Sequence, residues 1–323
     1  MLLSPLAAAF GAAAARRMGR PAHYRAPVPV ICVGNLVVGG AGKTPAALAL
    51  AALARSEGLR PGFVATGYGG SASAPTLVER DAPAELVGDE ALMLAAAAPT
   101  VVAADRAAAA VRLIGEGVAV IIMDDGFQNP RLAKDLSLVV VDAAAGIGNG
   151  RVMPAGPLRA PLDAQIARAD ALIVIGGETA SHPSLGAVIR AGGPPVVRAH
   201  LKPVRVEGWR TRPILAYAGI GRPEKFFASL AAIDAPVAAT RGFADHHPFS
   251  EAEARLLLDE AKSGGYRLVT TEKDRARMSG ATGAVAELLA ASDAFAVELH
   301  VDDPGALADI LAPVWRKARE GRA

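Results

Sequence analysis

The stretch ICVGNLVVGGAGKTP, residues 31–45, decides how the rest of the chain can fold. Its first half is an apolar run of the kind that forms a strand buried on both faces. The run ends in Gly39 and Gly40, and the segment 42–45 (Gly-Lys-Thr-Pro) then opens an alanine-rich helical stretch. Glycines let the backbone curl around anionic oxygens, and a helix N-terminus adds partial positive charge. The stretch therefore predicts a phosphate-binding loop between a strand and a helix.

Two side chains of this loop suit a nucleotide. Lys43 can reach the β- and γ-phosphates, and the Thr44 hydroxyl can ligate Mg²⁺. The strict motif has a glycine five residues before Gly42, where this chain has Val37, so the loop is a variant. The alternative, a glycine-rich turn that binds nothing, leaves the lysine and threonine unexplained. We expect ATP contacts along the loop, from Val37, Val38, Gly39, Gly40, Ala41, Gly42, Lys43 and Thr44.

Composition narrows the class of protein. A chain of 323 residues has the length of about two domains. Hydrophobic residues make up 52% of it, mostly because alanine is abundant. The formal net charge of +2 argues against a dedicated nucleic-acid binder, which would carry clustered excess lysine and arginine. With Cys32 as its single cysteine, the chain can form neither a disulfide framework nor a cysteine-rich metal site, which fits a reducing compartment.

The N-terminal segment is apolar and uncharged over residues 1–15, and three arginines follow at 16, 17 and 20. About 17 helical residues span roughly 25 Å, which is short of the ~30 Å hydrocarbon core of a bilayer. A secretory signal would carry its positive charge before the apolar run. We expect residues 1–25 to form a helix that dips into one leaflet with arginines at the headgroups. The alternative is a helix that packs on the protein's own surface.

Beyond the loop, apolar runs alternate with helical segments. The runs lie at residues 62–66, 118–123, 136–141 and 171–175. Such alternation is typical of a parallel sheet covered on both faces. We predict a P-loop NTPase-type, doubly wound, mostly parallel α/β sheet over residues 26–205, with a linker at 196–208. The pattern then restarts and predicts a smaller α/β domain over residues 206–323, with one strand at 294–299 and a terminal helix that can pack back on the first domain.

Paired aspartates follow one of the predicted strands. Asp124 and Asp125 come 80 residues after Thr44, where a P-loop enzyme places its Mg²⁺-binding carboxylate. Ligands of open α/β sheets bind at these carboxyl ends of strands. The alternative is a polar junction between strand and loop.

Two loops add candidate residues. Arg159 ends a long loop rich in glycine and proline, and it could hold a phosphate, although a lone loop arginine is more often solvated. The segment Asp245-His246-His247 lacks further histidine or cysteine partners for a metal, so a histidine that moves protons fits it better.

Eight ordered motifs carry a family resemblance: VPVICVGNLVVGGAGKTP, TGYGG, VGDE, DDGFQ, GNGRVMPAGPLR, GIGRPEKFFASL, FADHH and TTEKD. In this order they resemble the tetraacyldisaccharide 4′-kinases, the lipid A 4′-kinases of Gram-negative envelopes. The resemblance runs from about residue 27 to 274. It implies ATP- and Mg²⁺-dependent phosphorylation of the 4′-hydroxyl of a tetraacylated glucosamine disaccharide 1-phosphate. It also implies a peripheral or monotopic enzyme at the cytoplasmic face of the inner membrane.

The resemblance further implies a role for each motif residue. Asp89 of VGDE would be the catalytic base, supported by His246 of FADHH, although His247 follows and leaves the choice of histidine open. Lys43 and Arg159 would complete the catalytic set. The remaining roles are ATP contact for Gln128, substrate contact for Tyr68, and Mg²⁺ ligation for Thr44, Asp124, Asp125 and Glu90.

Two other functions stay open on the residues alone. One is a P-loop kinase of a soluble metabolite, against which the apolar N-terminus counts. The other is a nucleotide-driven switch ATPase whose loop reads GG-x-GKT, but the extra lysine of that branch would fall at Val38 and is absent. Acyl-chain preference, oligomeric state and depth of membrane insertion cannot be deduced from the sequence.

Overall fold

Two sheets organise the chain in a computed structural model that describes residues 3–176, 182–190, 192–204 and 208–321. The large sheet contains β1 (Val30–Asn35), β2 (Pro61–Ala65), β3 (Thr76–Leu77), β4 (Thr100–Val102), β5 (Val120–Asp124), β6 (Leu136–Asp142), β7 (Ala171–Ile175), β8 (Val196–Pro203) and β13 (Val297–Val301). The small sheet contains β9 (Ile214–Ala218), β10 (Val237–Gly242), β11 (Arg267–Thr271) and β12 (Ser292–Phe295).

The helices cover both sheets. They are α1 (Ser4–Met18), α2 (Lys43–Ser56), α3 (Ala84–Val87), α4 (Asp89–Ala95), α5 (Arg106–Gly115), α6 (Leu162–Ile166), α7 (Pro183–Arg190), α8 (Pro223–Ala231), α9 (Glu251–Gly264), α10 (Glu272–Arg277), α11 (Gly283–Ala291) and α12 (Pro304–Glu320).

The large sheet has the order β13-β8-β7-β6-β1-β5-β2-β4-β3 and is parallel except at its two ends, where β13 and β3 run antiparallel to their neighbours. Every residue of β1, β5 and β7 is buried, as expected of parallel strands with helices on both faces. One apolar core includes Leu50 of α2 and Trp315 of α12, and the other includes Met18 of α1 and Leu113 of α5. The predicted doubly wound α/β fold is confirmed.

The P-loop lies where the strand order reverses. β1 pairs with β5 on one side and with β6 on the other, both in parallel. At such a reversal the connections after two neighbouring strands run in opposite directions, which opens a crevice at the carboxyl ends of the strands. Ligands of open α/β sheets bind in this crevice. The loop after β1 and the aspartates after β5 therefore face the same crevice.

The end of the chain differs from the prediction. Instead of one strand at 294–299, β12 ends at Phe295 in the small sheet and β13 begins at Val297 in the large one. The sequence does not show where the chain leaves one sheet for the other, because both strands have the same hydrophobic periodicity. The predicted linker at 196–208 begins with β8, which pairs with β13 and is therefore a strand of the large sheet. The predicted domain boundary at 205/206 lies outside the described residues.

The N-terminal helix packs through its small residues. Ala7, Gly11 and Ala14 of α1 are buried, whereas Leu6 and Phe10 are exposed. A Cβ on Gly11 would lie 3.5 Å from Pro161, which shows how closely the helix approaches the loop before α6. Within the described ranges, no helix combines the length and the apolar character needed to cross a membrane.

Candidate active site

The phosphate-binding loop has the backbone that its glycines predict. Gly42 has a φ of +90° and a Cβ there would lie 2.6 Å from the side chain of Ile175, so only glycine fits. α2 begins at the next residue, Lys43, with Gly42 as its N-cap. Lys43 and Thr44 are both buried at this helix end. Backbone N–H groups and a lysine therefore converge on one point, as an anion-binding site requires.

The two aspartates after β5 face the loop. Thr44 Oγ1 donates to Asp124 Oδ2 over 3.4 Å, and Lys43 Nζ lies 3.9 Å from Asp125 Oδ1. Arg159 binds Asp125 with both terminal nitrogens, at 2.8 and 3.2 Å, and its Nε donates to the Val37 carbonyl. The long loop thus brings its arginine to the phosphate site. Asp125 adopts a φ of +50°, a conformation that aspartate tolerates better than most residues.

Asp124 has the features of a cation ligand. It is buried, and its Oδ1 has no hydrogen-bond partner. Burial raises the pKa of Asp124 to about 7, and the charge of Glu90 adds to the shift while Lys43 opposes it. An orphaned carboxylate oxygen beside a hydroxyl is the donor set that Mg²⁺ prefers. Among the described residues no three carboxylate, histidine or cysteine side chains form a metal cage by themselves, and a nucleotide-bound Mg²⁺ needs only one or two carboxylates.

Asp89 lies at the start of α4 and is 4% exposed. Its Oδ1 accepts the N–H of Glu90, while the N-cap position belongs to Gly88. Its Oδ2 accepts two hydrogen bonds from Arg277, at 2.7 and 3.2 Å, and lies 3.2 Å from His246 Nδ1. The two residues that the motifs place 157 positions apart thus meet across the boundary between the two sheets.

His246 is the histidine that faces this site. Its Nε2 lies 3.3 Å from Lys273 Nζ, and its ring centroid is 5.0 Å from that of the exposed Tyr68. His247 faces elsewhere: its Nε2 lies 2.9 Å from Glu253 Oε1, and its ring stacks on Phe243. His246 has a positive φ of +56°, so the backbone turns at this residue and the side chains of His246 and His247 face different partners. Of the two histidines, His246 is therefore the one that contacts Asp89.

Gln128 does not reach the open face of the crevice. It is buried, and its Nε2 donates to the Asn35 carbonyl over 2.8 Å and to Gln165 Oε1 over 3.0 Å. Asn35 in turn donates to the carbonyl of Gly39. Both amide hydrogens of Gln128 are thus engaged by the residues beneath the loop, and the predicted ATP contact of this side chain stays a prediction.

Sequence reasoning missed two cations on α10. Lys273 Nζ donates to Glu90 Oε1 over 3.1 Å, and Arg277 joins Asp89 to Asp274 with 2.7 Å bonds to both. Lys273 lies inside the TTEKD motif, and Arg277 follows it by one helical turn on the same face. The i, i+4 spacing of these two residues was the sequence signal that could have identified them.

The GIGRP motif holds a third missed cation, Arg222. It donates to the Gly40 carbonyl of the P-loop over 2.9 Å and to Asp142 over 2.6 Å, and Lys225 also pairs with Asp142. Burial by itself raises the pKa of Asp142, yet the hydrogen bond and charge of Lys225 and the charge of Arg222 outweigh it, so the pKa lies below its ordinary value. The small sheet is thereby tied to the loop.

Comparison with known proteins identifies relatives along the whole chain. The family model for LpxK, the tetraacyldisaccharide-1-P 4′-kinase, matches residues 1–315. A tetraacyldisaccharide 4′-kinase of Afipia carboxidovorans is 49% identical over 327 residues, which cover 100% of this chain and 95% of that protein. One from a Methylobacterium species is 54% identical over 283 residues, covering 87% of this chain and 85% of that protein.

A solved structure shows the same fold. LpxK from Aquifex aeolicus in complex with ATP superposes with a TM-score of 0.77 and covers 98% of this chain and 100% of its own. Its sequence is 24% identical to this chain.

Proposed function

The chain belongs to the tetraacyldisaccharide-1-phosphate 4′-kinase family, and we propose that its phosphoryl transfer takes place between the P-loop and the Asp89–His246 pair. As a member, it is an ATP-dependent kinase of lipid A biosynthesis that phosphorylates the 4′-hydroxyl of a tetraacyldisaccharide 1-phosphate. The observation that carries the proposal is the 3.2 Å contact between His246 Nδ1 and Asp89 Oδ2, because it brings a proton acceptor to the crevice of the phosphate-binding loop.

The P-loop side binds and neutralises the phosphates. The N–H groups at the start of α2 and the Lys43 ammonium receive the β- and γ-phosphates. Arg159 pairs with the same carboxylate, Asp125, and adds a second cation where charge builds up on the transferred group. Positioning and charge neutralisation of this kind supply most of the catalysis in phosphoryl transfer.

Thr44 and Asp124 would hold Mg²⁺, with Asp125 and Glu90 close by. The orphaned Oδ1 of Asp124 supports this assignment, since it lacks any protein donor. When bound, Mg²⁺ would neutralise negative charge on the phosphates during transfer. Arg159 and Lys273 already engage Asp125 and Glu90, which leaves Asp124 as the freest carboxylate.

The Asp89–His246 pair orients the attacking hydroxyl and accepts its proton. Lys273 Nζ lies 3.3 Å from His246 Nε2, and Asp89 Oδ2 lies 3.2 Å from Nδ1, so both ring nitrogens face a charged partner. Arg277 holds the carboxylate of Asp89 against this ring. The exposed Tyr68 ring beside His246 provides a surface for the sugar.

The lipid substrate comes from a membrane, and α1 suits contact with its cytoplasmic surface. Leu6 and Phe10 are exposed on α1 and Leu3 is exposed just before it, while Arg16 and Arg17 lie in its last turn. Apolar side chains that enter the acyl boundary and arginines at the headgroups are the features of a peripheral, interfacial helix.

A double-mutant cycle tests the pair. We expect Asp89→Asn and His246→Ala each to slow single-turnover transfer by ~10²-fold or more, while ATP affinity stays unchanged. The double variant should be scarcely slower than the slower single variant, since residues that act as a unit are not additive.

The neighbouring histidine provides a matched control. His247→Ala removes the same chemical group one position away and should preserve the transfer rate, because that ring faces Glu253 and Phe243. Multiplicative losses in the cycle, or equal losses in the two histidine variants, would refute the proposed pair.

A further inference from the structure

A cavity of about 280 Å³ lies outside the crevice, where the end of α1 meets the segment that follows the paired aspartates. Its apolar wall includes Met18, Phe127 and Leu132, which are buried. Charged side chains line the rest of it, namely Arg20, Lys134, Arg168 and Asp170. Neither the proposed transfer reaction nor the ATP site uses any of these charges.

The cavity carries an excess of positive charge. None of its three cations forms an ion pair with any residue in the described part of the chain. Lys134 Nζ donates to the Phe127 carbonyl over 2.7 Å, and Arg168 Nη1 donates to the Ala164 carbonyl over 2.8 Å. Carbonyl groups accept these hydrogen bonds without neutralising the charge. The one carboxylate, Asp170, accepts the backbone N–H of Ser137.

Lys134 is the most enclosed of the three cations. Its Nζ lies 5.7 Å from the centroid of the Phe127 ring. Burial lowers the pKa of Lys134; Cys32 acts in the opposite direction, and the nearby charge of Arg168 adds to the lowering. A half-buried ammonium beside a second cation is stabilised by an anion that reaches both.

We propose that this cavity binds a phosphate-bearing anion, the headgroup of an acidic phospholipid. Lysine and arginine form strong charge-assisted hydrogen bonds with phosphate oxygens. The volume suits a headgroup, and the apolar wall beside the cations suits the glycerol and first acyl carbons that follow it. The choice of lipid rests on the proposed membrane contact of α1, whose last turn leads into the cavity through Met18 and Arg20.

Vesicle binding tests the lipid. The full chain is mixed with vesicles of phosphatidylcholine alone, or of an equimolar mixture with phosphatidylglycerol. The parent protein should prefer the acidic vesicles, and the double variant Lys134→Gln/Arg168→Gln should lose roughly tenfold or more of that preference. The control Arg255→Gln/Lys262→Gln removes the same two charges from exposed positions on α9 and should retain it.

A soluble probe separates the two sources of phosphate. Binding of sn-glycerol 3-phosphate is measured with the ATP site saturated by a non-hydrolysable ATP analogue. Loss of this binding in the double variant, with an unchanged vesicle preference, would keep the anion site and overturn its assignment to a lipid. Equal behaviour of the parent and the double variant in both assays would overturn the whole proposal.

Two further variants test the anion site and the membrane contact separately, so that a loss of binding is not confused with misfolding or with a failure of the proposed active site. Asp170→Asn retains an acceptor for Ser137 and removes the negative charge, so it should tighten anion binding; unchanged or weaker binding contradicts the proposal. Leu6→Asp/Phe10→Asp should lose both kinds of vesicle if α1 makes the membrane contact. Transfer to detergent-dispersed substrate should be unchanged in Lys134→Gln/Arg168→Gln, which separates a failure of this site from a failure of the proposed active site.

Discussion

At the scale of single residues, Arg277 connects Asp89 to the small sheet and its helices. Its side chain is 9% exposed and donates to Asp89 of α4 and to Asp274 of its own helix, α10, each at 2.7 Å. It also donates to the carbonyl of Gly219 over 3.0 Å. A guanidinium offers five donors in one fixed plane, whereas a lysine ammonium offers three, so lysine would be a poor substitute.

We predict that Arg277→Met destabilises the protein by about 3–5 kcal/mol, because breaking a buried ion pair leaves carboxylates without a partner. Single-turnover transfer should fall at least ~10-fold, since Asp89 loses the group that holds it against His246. Denaturant unfolding and rapid-quench kinetics measure the two effects. Arg241→Met, which breaks an exposed pair with Glu260, serves as the control and should change stability by about 1 kcal/mol or less. An equal effect of both variants would contradict this role.

At the scale of elements, the start of α9 positions the loop before it, which carries His246 and His247. Ser250 and Glu253 form a reciprocal capping box, and Glu253 also engages His247. Hydrogen bonds from the backbone and side chain of Ser250, with a smaller contribution from His247, lower the pKa of Glu253 to about 2 against slight desolvation. The cap thereby holds the segment that presents His246 to Asp89.

This lowered pKa predicts a specific pH dependence of stability. A carboxylate with a depressed folded-state pKa stabilises the fold above its ordinary value, and that stabilisation is lost as the pH falls through the folded-state value. The Tm difference between the parent and Glu253→Gln should therefore be largest above pH 4.5 and should disappear as the pH falls from 4.5 to about 2. Calorimetry across this range measures it. A difference that persists at the acid end would contradict the assignment.

At the scale of the whole molecule, the two sheets are joined at both sides of the crevice. Arg277 joins them beside Asp89, and Arg222 and Lys225 join them at Asp142. The second junction is more exposed, with Arg222 38% accessible, so it is the weaker of the two. Opening there would separate Arg222 from the P-loop carbonyl of Gly40 while the buried junction holds.

We predict that Asp142→Asn loosens this second junction. Hydrogen exchange should accelerate in residues 219–231 and remain unchanged in β5, because only the contact across the sheets is weakened. The KM for ATP should rise several-fold, with roughly 1 kcal/mol or less lost in stability. Asp293→Asn, which breaks a pair with Arg267 at the surface of the small sheet, should leave exchange in 219–231 and the KM unaltered. Uniform exchange across the chain would contradict the prediction.

Much of the fold was predictable from the sequence because it depends on local signals. The P-loop needs glycines where φ is positive, and Gly42 has that conformation. The parallel sheet needs unbroken apolar strands, and β1 and β5 are such strands. The family assignment depends on the order of motifs, and the comparisons confirm it.

Only the tertiary structure decided which side chains meet. Arg277 and Asp89 are 188 residues apart, and Arg222 and Asp142 are 80 apart, so no local period relates them. The packing of the two sheets also decides three other features. Gln128 points into the interior, His246 rather than His247 contacts Asp89, and the chain passes from β12 in one sheet to β13 in the other. Sequence patterns encode the periodicity and the special backbone angles of each element, whereas contacts between distant elements arise only from the packing of their buried faces.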